Sequence, residues 1–186
     1  MEVEERKSLL ADLENGRRAL LDVLSGVTEE VASRSPAPGK WSVIECVEHL
    51  AIAEDYLFSQ IAASCYADAP TLSMPNRNRE ALILSRGLDR TRTVQSPEGG
   101  RPKGRFATLR EAVQYFLASR ERTVRFVENY SEDLRSKLTS HPIIGTVNCH
   151  EMLLMMAVHP HRHSKQIEEI KTALGHSGQP SAILNA

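Results

Sequence analysis

Apolar residues recur every three or four positions along separate stretches of the chain, which is the spacing of one buried helical face. The first stretch covers residues 4–25, and a connection rich in Pro and Gly follows over residues 35–41. The second stretch begins at Ser42 and runs to about residue 65. Its first residues, Ser-Val-Ile-Glu, have the form of a capping box, in which Ser42 and Glu45 bond each other's backbone amides.

Two further stretches near the end of the chain show the same periodicity. The third follows Thr108, where the sequence Thr-Leu-Arg-Glu again has the form of a capping box. The fourth begins at Asn148, a residue suited to cap a helix, and runs to Leu174. Gly175 then provides a residue that readily ends a helix.

The second and third helices are separated by a long connection over residues 66–106, with a short helix expected around residues 77–86. A connection of this length in a compact domain is usually either a functional cover or a disordered segment. Four long helices without competing β alternation predict an all-α fold, a four-helix bundle. The length of the chain fits a single domain covering residues 1–186.

Charge and composition narrow the functional classes. The formal net charge of −1 gives no electrostatic reason to expect nucleic acid or an anionic membrane as a partner. No apolar run has the roughly 18 residues that would suggest a membrane-spanning helix. The 3 cysteines are an odd number at scattered positions, which fits a reducing cytoplasm better than a disulfide framework.

Histidines are concentrated in the fourth helix, in the segment HPHRHSKQI that begins at His159. His159 and His163 lie one turn apart on the predicted inward face, so both rings can reach one metal ion. His161 lies about 200° around the helix from His159 and should face away. Two imidazoles leave a divalent ion under-coordinated, and His49 on the second helix is the best candidate for a third ligand.

Three neutral imidazoles suit Zn, Ni or Fe and leave coordination positions open for water or substrate. A His-x-x-x-His pair is nevertheless a common pattern. A single histidine beside an apolar face is also more often a core residue whose polar atoms are satisfied. From the pattern alone, a metal site and an ordinary helical surface both remain open.

Three segments together resemble the DinB/YfiT-like superfamily of bacterial four-helix proteins: GKWSVIECVEHL, HPIIGTVNCHEML and HPHRHSKQI. Members carry a Trp-Ser-x-x-Glu-x-x-x-His element on helix two and a His-x-x-x-His-x-x-Gln-Ile element on helix four. The resemblance implies that the histidines bind a divalent metal, often Zn or Ni, with Fe and Mn as alternatives. The matching positions in this chain are Trp41, Ser42, Glu45, His49, His159, His163, Gln166 and Ile167.

The resemblance implies a function as well as a fold. Relatives include S-transferases that depend on mycothiol or bacillithiol, so we expect a metal-dependent transfer of a low-molecular-weight thiol to a small electrophilic substrate. Two alternatives stay open: a hydrolase that uses metal-activated water, and a non-catalytic metal- or ligand-binding stress protein. The resemblance also implies a homodimer.

One residue departs from the expected pattern. Pro160 lies between the two candidate ligands of the fourth helix, where it removes a backbone donor and should kink the helix. Such a kink could re-aim His159.

Other polar residues have both a functional and a structural interpretation. Arg120, on the predicted inward face of helix three, is either an anion-binding group near the metal or the partner of an acidic residue such as Glu45. Glu45 could orient a ligand or act as a base, although its capping role already accounts for it. Gln166 could contact substrate or end the polar face of its helix. Four arginines of the long connection could meet the carboxylates of a thiol: Arg77, Arg79, Arg101 and Arg105.

Overall fold

A computed structural model describes residues 1–67, 77–91 and 95–176 of the chain. Single 3₁₀ turns occur at Glu98–Gly100 and Leu134–Ser136. The helices and strands, in chain order, are α1 (Val3–Leu24), α2 (Glu29–Ser33), α3 (Val43–Tyr66), α4 (Arg77–Leu88), α5 (Leu109–Asn129), β1 (Leu138–His141), β2 (Gly145–Asn148) and α6 (Cys149–Ala173).

The four long helices α1, α3, α5 and α6 are the four that the hydrophobic periodicity predicts, and the all-α four-helix bundle is confirmed. Helix α1 packs mainly on α6, and α3 packs on both α5 and α6. The short helix expected in the long connection is α4, which packs on α6. Parts of that connection, residues 68–76 and 92–94, lie outside the described residues.

The short helix α2 and the antiparallel hairpin β1–β2 were not expected. In the hairpin, Leu138 pairs with Asn148 and His141 pairs with Gly145. Its strands have only 4 residues each, too few for a periodicity of two to be visible in the sequence. Gly145 has a φ of 76°, a conformation that a glycine adopts without strain, and it allows the chain to turn there.

The caps determine where the helices that carry the histidines begin. The predicted capping box at α3 is present: the Ser42 amide donates to Glu45 at 2.7 Å, and the Glu45 amide donates to the Ser42 hydroxyl at 3.3 Å. At α6 the expected Asn148 cap is part of a full capping box with Glu151. Both helix starts are therefore fixed locally, which sets the register of the histidines that follow.

The capping box predicted at Thr108 forms only in part. The Thr108 hydroxyl accepts from the Glu111 amide at 3.1 Å, but the Glu111 carboxylate accepts from the Ala107 amide rather than from that of Thr108. Glu29 of α2 accepts from two further amides of this turn, those of Leu109 and Arg110. A long-range carboxylate thus completes the cap, which local sequence cannot reveal.

The core consists of two clusters of apolar side chains along the bundle. One includes Leu9, Leu13 and Met152, and the other includes Leu20, Phe116 and Ile167. Between the apolar ends of α5, the buried positions are polar: Ser119, Arg120 and Thr123. The apolar spacing of α5 predicts that Val113, Leu117 and Val124 face inward, but they are only half-buried, so the buried face is rotated from the predicted one.

Helix α6 is continuous from Cys149 to Ala173 with Pro160 inside it. Within the described residues, no helix combines the length and the apolar character that crossing a membrane requires.

Candidate metal centre

Three histidine rings from two helices converge in the bundle. His49 lies in the second turn of α3, and His159 and His163 lie one turn apart on α6. The Nε2 atom of His159 is 3.1 Å from Nε2 of His49 and 3.0 Å from Nε2 of His163. One ring nitrogen from each of the three residues falls within 4.8 Å of the others. The structure thus brings together the three residues that the sequence singles out as candidate ligands.

Two of the nitrogen separations fit neighbouring ligands of a divalent ion. Metal–nitrogen bonds of about 2.0–2.1 Å place neighbouring ligand nitrogens about 3 Å apart in tetrahedral or octahedral coordination. The two Nε2 separations of 3.0 Å and 3.1 Å match that spacing. Three protein ligands also leave at least one position for a substrate, as catalytic zinc sites do.

A backbone carbonyl sets the tautomer of His49. Its Nδ1 lies 2.5 Å from the carbonyl oxygen of Gly100, which can only accept a hydrogen bond, so Nδ1 carries the proton. The lone pair of the neutral ring is then on Nε2, which faces the other two histidines. This is the usual relation between a metal-binding histidine and the group that orients it.

Burial keeps the three histidines neutral. It is the largest cause that lowers the pKa of His49, and it holds the pKa of both His159 and His163 well below the ordinary value. The neighbouring rings lower the pKa of His159 further, and His49 and Arg90 do the same for His163. Neutral rings have the free lone pair that metal binding requires.

The loop after α4 is attached to α3 by two consecutive side chains. Glu48 is buried and accepts hydrogen bonds from the backbone amides of Lys103 and Arg105, at 2.7 Å and 3.1 Å. The next residue, His49, donates to Gly100 of the same loop. An alanine at Gly100 would place its Cβ 2.9 Å from the Ser96 hydroxyl oxygen, so the turn has little room for a side chain.

Trp41 packs against the histidines. Its ring centroid is 5.0 Å from that of His49 and 6.3 Å from that of His163, nearly parallel to the latter. Trp41 directly precedes the α3 capping residue, so the cap that starts the helix also positions this ring.

Arg120 forms an ion pair, as one of its two interpretations predicts, but its partner is Glu54 rather than Glu45. Its Nε and Nη2 donate to the Glu54 carboxylate at 2.7 Å and 2.9 Å. Both side chains are buried. The Glu45 carboxylate instead bonds the Ser42 amide in the α3 cap. Arg120 has carbonyl partners as well, so it serves the interior of the bundle rather than an anion near the metal ligands.

Gln166 lies beside the histidines on α6. Its interaction with His163 opposes the fall in the pKa of that ring, and its side-chain oxygen accepts from Arg90 at 3.3 Å. Arg90 also forms an ion pair with Glu169, at 2.6 Å. Sequence reasoning did not single out Arg90, because no periodicity marks a residue in the loop after α4.

Of the four loop arginines named from the sequence, the three whose side chains are described do not form one group. Arg79 bonds the Thr146 carbonyl oxygen of the hairpin, Arg101 bonds the Ser96 carbonyl oxygen, and Arg105 bonds the Tyr115 hydroxyl. The side chain of Arg77 lies outside the described part of the structure.

His161 has the different role that its position on the helix predicts. Burial is the largest cause that lowers the pKa of His161, and the charge of Asp12 on α1 opposes the fall. Among the described residues, the group of histidines that could hold a metal does not include His161.

The fold and the histidine cluster together define a helical-bundle protein with a candidate metal centre built on two of its helices. The chain belongs to the DinB superfamily, whose sequence model matches residues 12–167. A search of curated proteins finds no match.

Two solved structures share the fold. YfiT from Bacillus subtilis, described as a probable metal-dependent hydrolase with an unusual four-helix bundle topology, has a TM-score of 0.65 at 15% identity. That alignment covers 95% of this chain and 91% of YfiT. A conserved protein from Enterococcus faecalis has a TM-score of 0.61 at 19% identity, over 94% of this chain and 99% of its own. At these identities, the similarity establishes the fold alone.

Proposed function

We propose that this protein binds one divalent metal ion through His49, His159 and His163 and uses it to transfer a low-molecular-weight thiol to a small electrophile. The observation that carries the proposal is the convergence of the three imidazoles, with Nε2 separations of 3.0 Å and 3.1 Å. Zn and Ni suit this set of nitrogen ligands best, and Fe and Mn are alternatives.

A bound divalent ion would supply Lewis acidity, which lowers the pKa of a thiol or a water molecule that reaches it. The chain's own residues prepare the ligand set. Gly100 holds the tautomer of His49, burial keeps all three rings neutral, and Trp41 covers two of them.

The charges around His163 favour an anionic nucleophile. Arg90 and Arg162 both lower its pKa, which means that their positive charges act on this end of the cluster. A positive potential of this kind stabilises a thiolate. In the transfer, the thiol loses its proton to solvent water, its sulfur bonds to the electrophilic carbon, and the leaving group departs with the bonding electron pair.

Hydrolysis is the second candidate function, because YfiT is described as a probable metal-dependent hydrolase. A hydrolase needs a base within hydrogen-bond reach of the attacking water. Glu45 was the sequence candidate for that base, and its carboxylate accepts from the Ser42 amide at 2.7 Å. The capping bond engages one carboxylate oxygen of Glu45 and gives this residue a structural role, so an assay must separate the two functions.

The two functions separate in one assay series. Protein loaded with Zn²⁺ or Ni²⁺ is incubated with a panel of low-molecular-weight thiols and a chromogenic aryl halide, and in parallel with a nitrophenyl ester without thiol. We expect the metal-loaded protein to consume the halide only when thiol is present. The His163→Ala variant should not consume the halide under the same conditions. Cleavage of the ester without thiol, with the halide left intact, would favour the hydrolase instead.

A further inference from the structure

Pro160 creates a specific gap in the backbone hydrogen bonds of α6. In a regular helix, the amide of residue 160 would donate to the carbonyl oxygen of Met156, four residues earlier. Proline has no N–H, and its ring crowds the same carbonyl. The helix turn that contains this gap lies directly before His163 and includes His159, so both candidate ligands depend on how the gap is filled.

Arg120 of α5 fills it. Its Nη2 donates to the carbonyl oxygen of Met156 at 2.8 Å. The same guanidinium donates through Nη1 to the Leu13 carbonyl oxygen of α1 at 2.8 Å. Glu54 of α3 holds it by two hydrogen bonds, and Thr123 donates its hydroxyl to Glu54 at 2.9 Å. One buried side chain therefore connects α1, α3 and α5 to the turn of α6 that contains the proline.

The adjacent turn of α1 is also shaped for this contact. An alanine at Gly16 would place its Cβ 2.2 Å from the carbonyl oxygen of Ala157, too close for any side chain there. The Cγ atom of Pro160 lies 3.6 Å from the same position. Helix α1 thus approaches the backbone of α6 directly beside the residue whose donor is missing.

We propose that Arg120 is a positioning residue for the metal ligands: its bond to the Met156 carbonyl replaces the donor that Pro160 lacks and fixes the turn that carries His159. The functional part of this proposal, the positioning of metal ligands, depends on the proposed metal site. Its structural part, that Arg120 holds this turn, can be tested without any metal.

The test compares Arg120→Lys with Arg135→Lys. In the wild-type protein, Nη2 of Arg120 donates to both Glu54 and Met156. A lysine at position 120 keeps a positive charge beside Glu54, but its shorter side chain ends before the position of Nη2 and therefore loses the Met156 contact. Arg135 is the matched control, because it is equally a buried arginine, paired with Glu80 and Glu5 away from the three histidines. Co²⁺ affinity is measured from the visible absorption of the bound ion, and circular dichroism confirms that each variant is folded.

We expect Arg120→Lys to weaken Co²⁺ binding about 10-fold, the usual size of an effect on groups that orient metal ligands. Arg135→Lys should change it less than about 2-fold. In a Pro160→Ala background, the restored amide can bond Met156 itself, so Arg120→Lys should then change the affinity less than about 2-fold. The proposal would be overturned if Arg120→Lys weakened Co²⁺ binding equally with Pro160 and with alanine at that position. It would also be overturned if Arg120→Lys and Arg135→Lys weakened Co²⁺ binding equally.

Amide hydrogen exchange of the metal-free protein separates the positioning role from the metal site. We expect Arg120→Lys to speed exchange at His161 and His163 about 10-fold relative to Ile170, and Arg135→Lys to leave that ratio unchanged. Failure of the wild-type protein to bind Co²⁺ would contradict the proposed function, whereas unchanged exchange in Arg120→Lys would contradict the positioning role.

Discussion

Histidines that are buried or half-buried lie in two contrasting environments of the described structure, and these differ in the partners they offer. In the first, the rings of His49, His159 and His163 face one another. In the second, His150 lies between opposite charges: its Nδ1 is 3.4 Å from the Glu80 carboxylate, and its Nε2 is 3.4 Å from Nη2 of Arg135.

The same difference appears in the causes of the pKa shifts. Burial is the largest cause that lowers the pKa of His150, and Arg135 adds to it, but Glu80 and Glu5 oppose the fall. Among the described residues, no carboxylate opposes the fall in the pKa of His159 or His163. His150 lies among opposite charges, whereas three neutral rings that face one another form a candidate ligand set.

The largest effect should come from breaking the ion pair that supports the histidine cluster. Glu54→Ala leaves the buried Arg120 charge without its carboxylate and should lower the free energy of unfolding by about 3–5 kcal/mol. Glu80→Ala should cost less, about 1–3 kcal/mol, because Arg135 keeps Glu5 at 3.0 Å. Denaturant unfolding of the metal-free variants measures both changes. Equal losses of unfolding free energy in Glu54→Ala and Glu80→Ala would contradict the predicted difference between the ion pairs of Arg120 and Arg135.

Metal should stabilise the protein through the cluster of His49, His159 and His163 alone. At a free Zn²⁺ concentration of about 100 times Kd, the free energy of unfolding should rise by about 2.7 kcal/mol in the wild-type protein. The rise should disappear in His49→Asn and persist in His150→Asn. Thermal unfolding with and without Zn²⁺ provides the comparison, and a rise that survives His49→Asn would place the ion elsewhere.

The stability of the metal-free protein should fall as the pH drops below about 6.5, the ordinary pKa of histidine. Burial lowers the pKa of the three histidines in the folded state, so the unfolded chain binds more protons in this range. Each histidine that stays neutral contributes at most about 1.4 kcal/mol per pH unit.

Substitution of single histidines shows which of them cause this dependence of stability on pH. His163→Asn should flatten the dependence more than His150→Asn, because the pKa of His163 is held well below its ordinary value. Unfolding titrations between pH 7 and pH 5 measure the slope of each variant, and an identical slope in both would contradict this assignment.

The smallest predicted effect tests the loop that orients His49. Gly100→Ala should weaken metal binding by less than about 10-fold, because the added Cβ would lie 2.9 Å from the Ser96 hydroxyl oxygen, which must rotate away beside the carbonyl that His49 bonds. Gly99→Ala is the matched control in the same turn, since its Cβ would meet nothing within 4 Å. Titration with Zn²⁺ measures both affinities. Equal affinities would show that this carbonyl does not position the ring.

Local periodicity was sufficient to predict the four helices and to make His49, His159 and His163 candidate ligands. It left a metal site and an ordinary helical surface both open, and the family resemblance favoured the metal site. His159 and His163 share a helical face by spacing alone, and the capping residue Ser42 sets the register of His49. The sequence predicts these features because each depends on residues within a few turns of one another.

Features that depend on how separate segments pack were missed. The partner of Arg120 is Glu54, 66 positions earlier in the chain, and the carbonyl partner of His49 is Gly100, 51 positions later. Nothing local distinguishes Glu54 from Glu45 as a partner, because the choice depends on the register between α3 and α5. The consecutive glycines at positions 99 and 100 were the one signal of a close backbone approach.

The most direct test of the metal centre is metal content by mass spectrometry, on untagged protein incubated with Zn²⁺ and Ni²⁺ and then freed of unbound ions. The wild-type protein and His150→Asn should each retain about one ion per chain, and His163→Asn should retain almost none. Wild-type protein without metal, or His163→Asn with as much metal as the wild-type protein, would contradict the three-histidine centre.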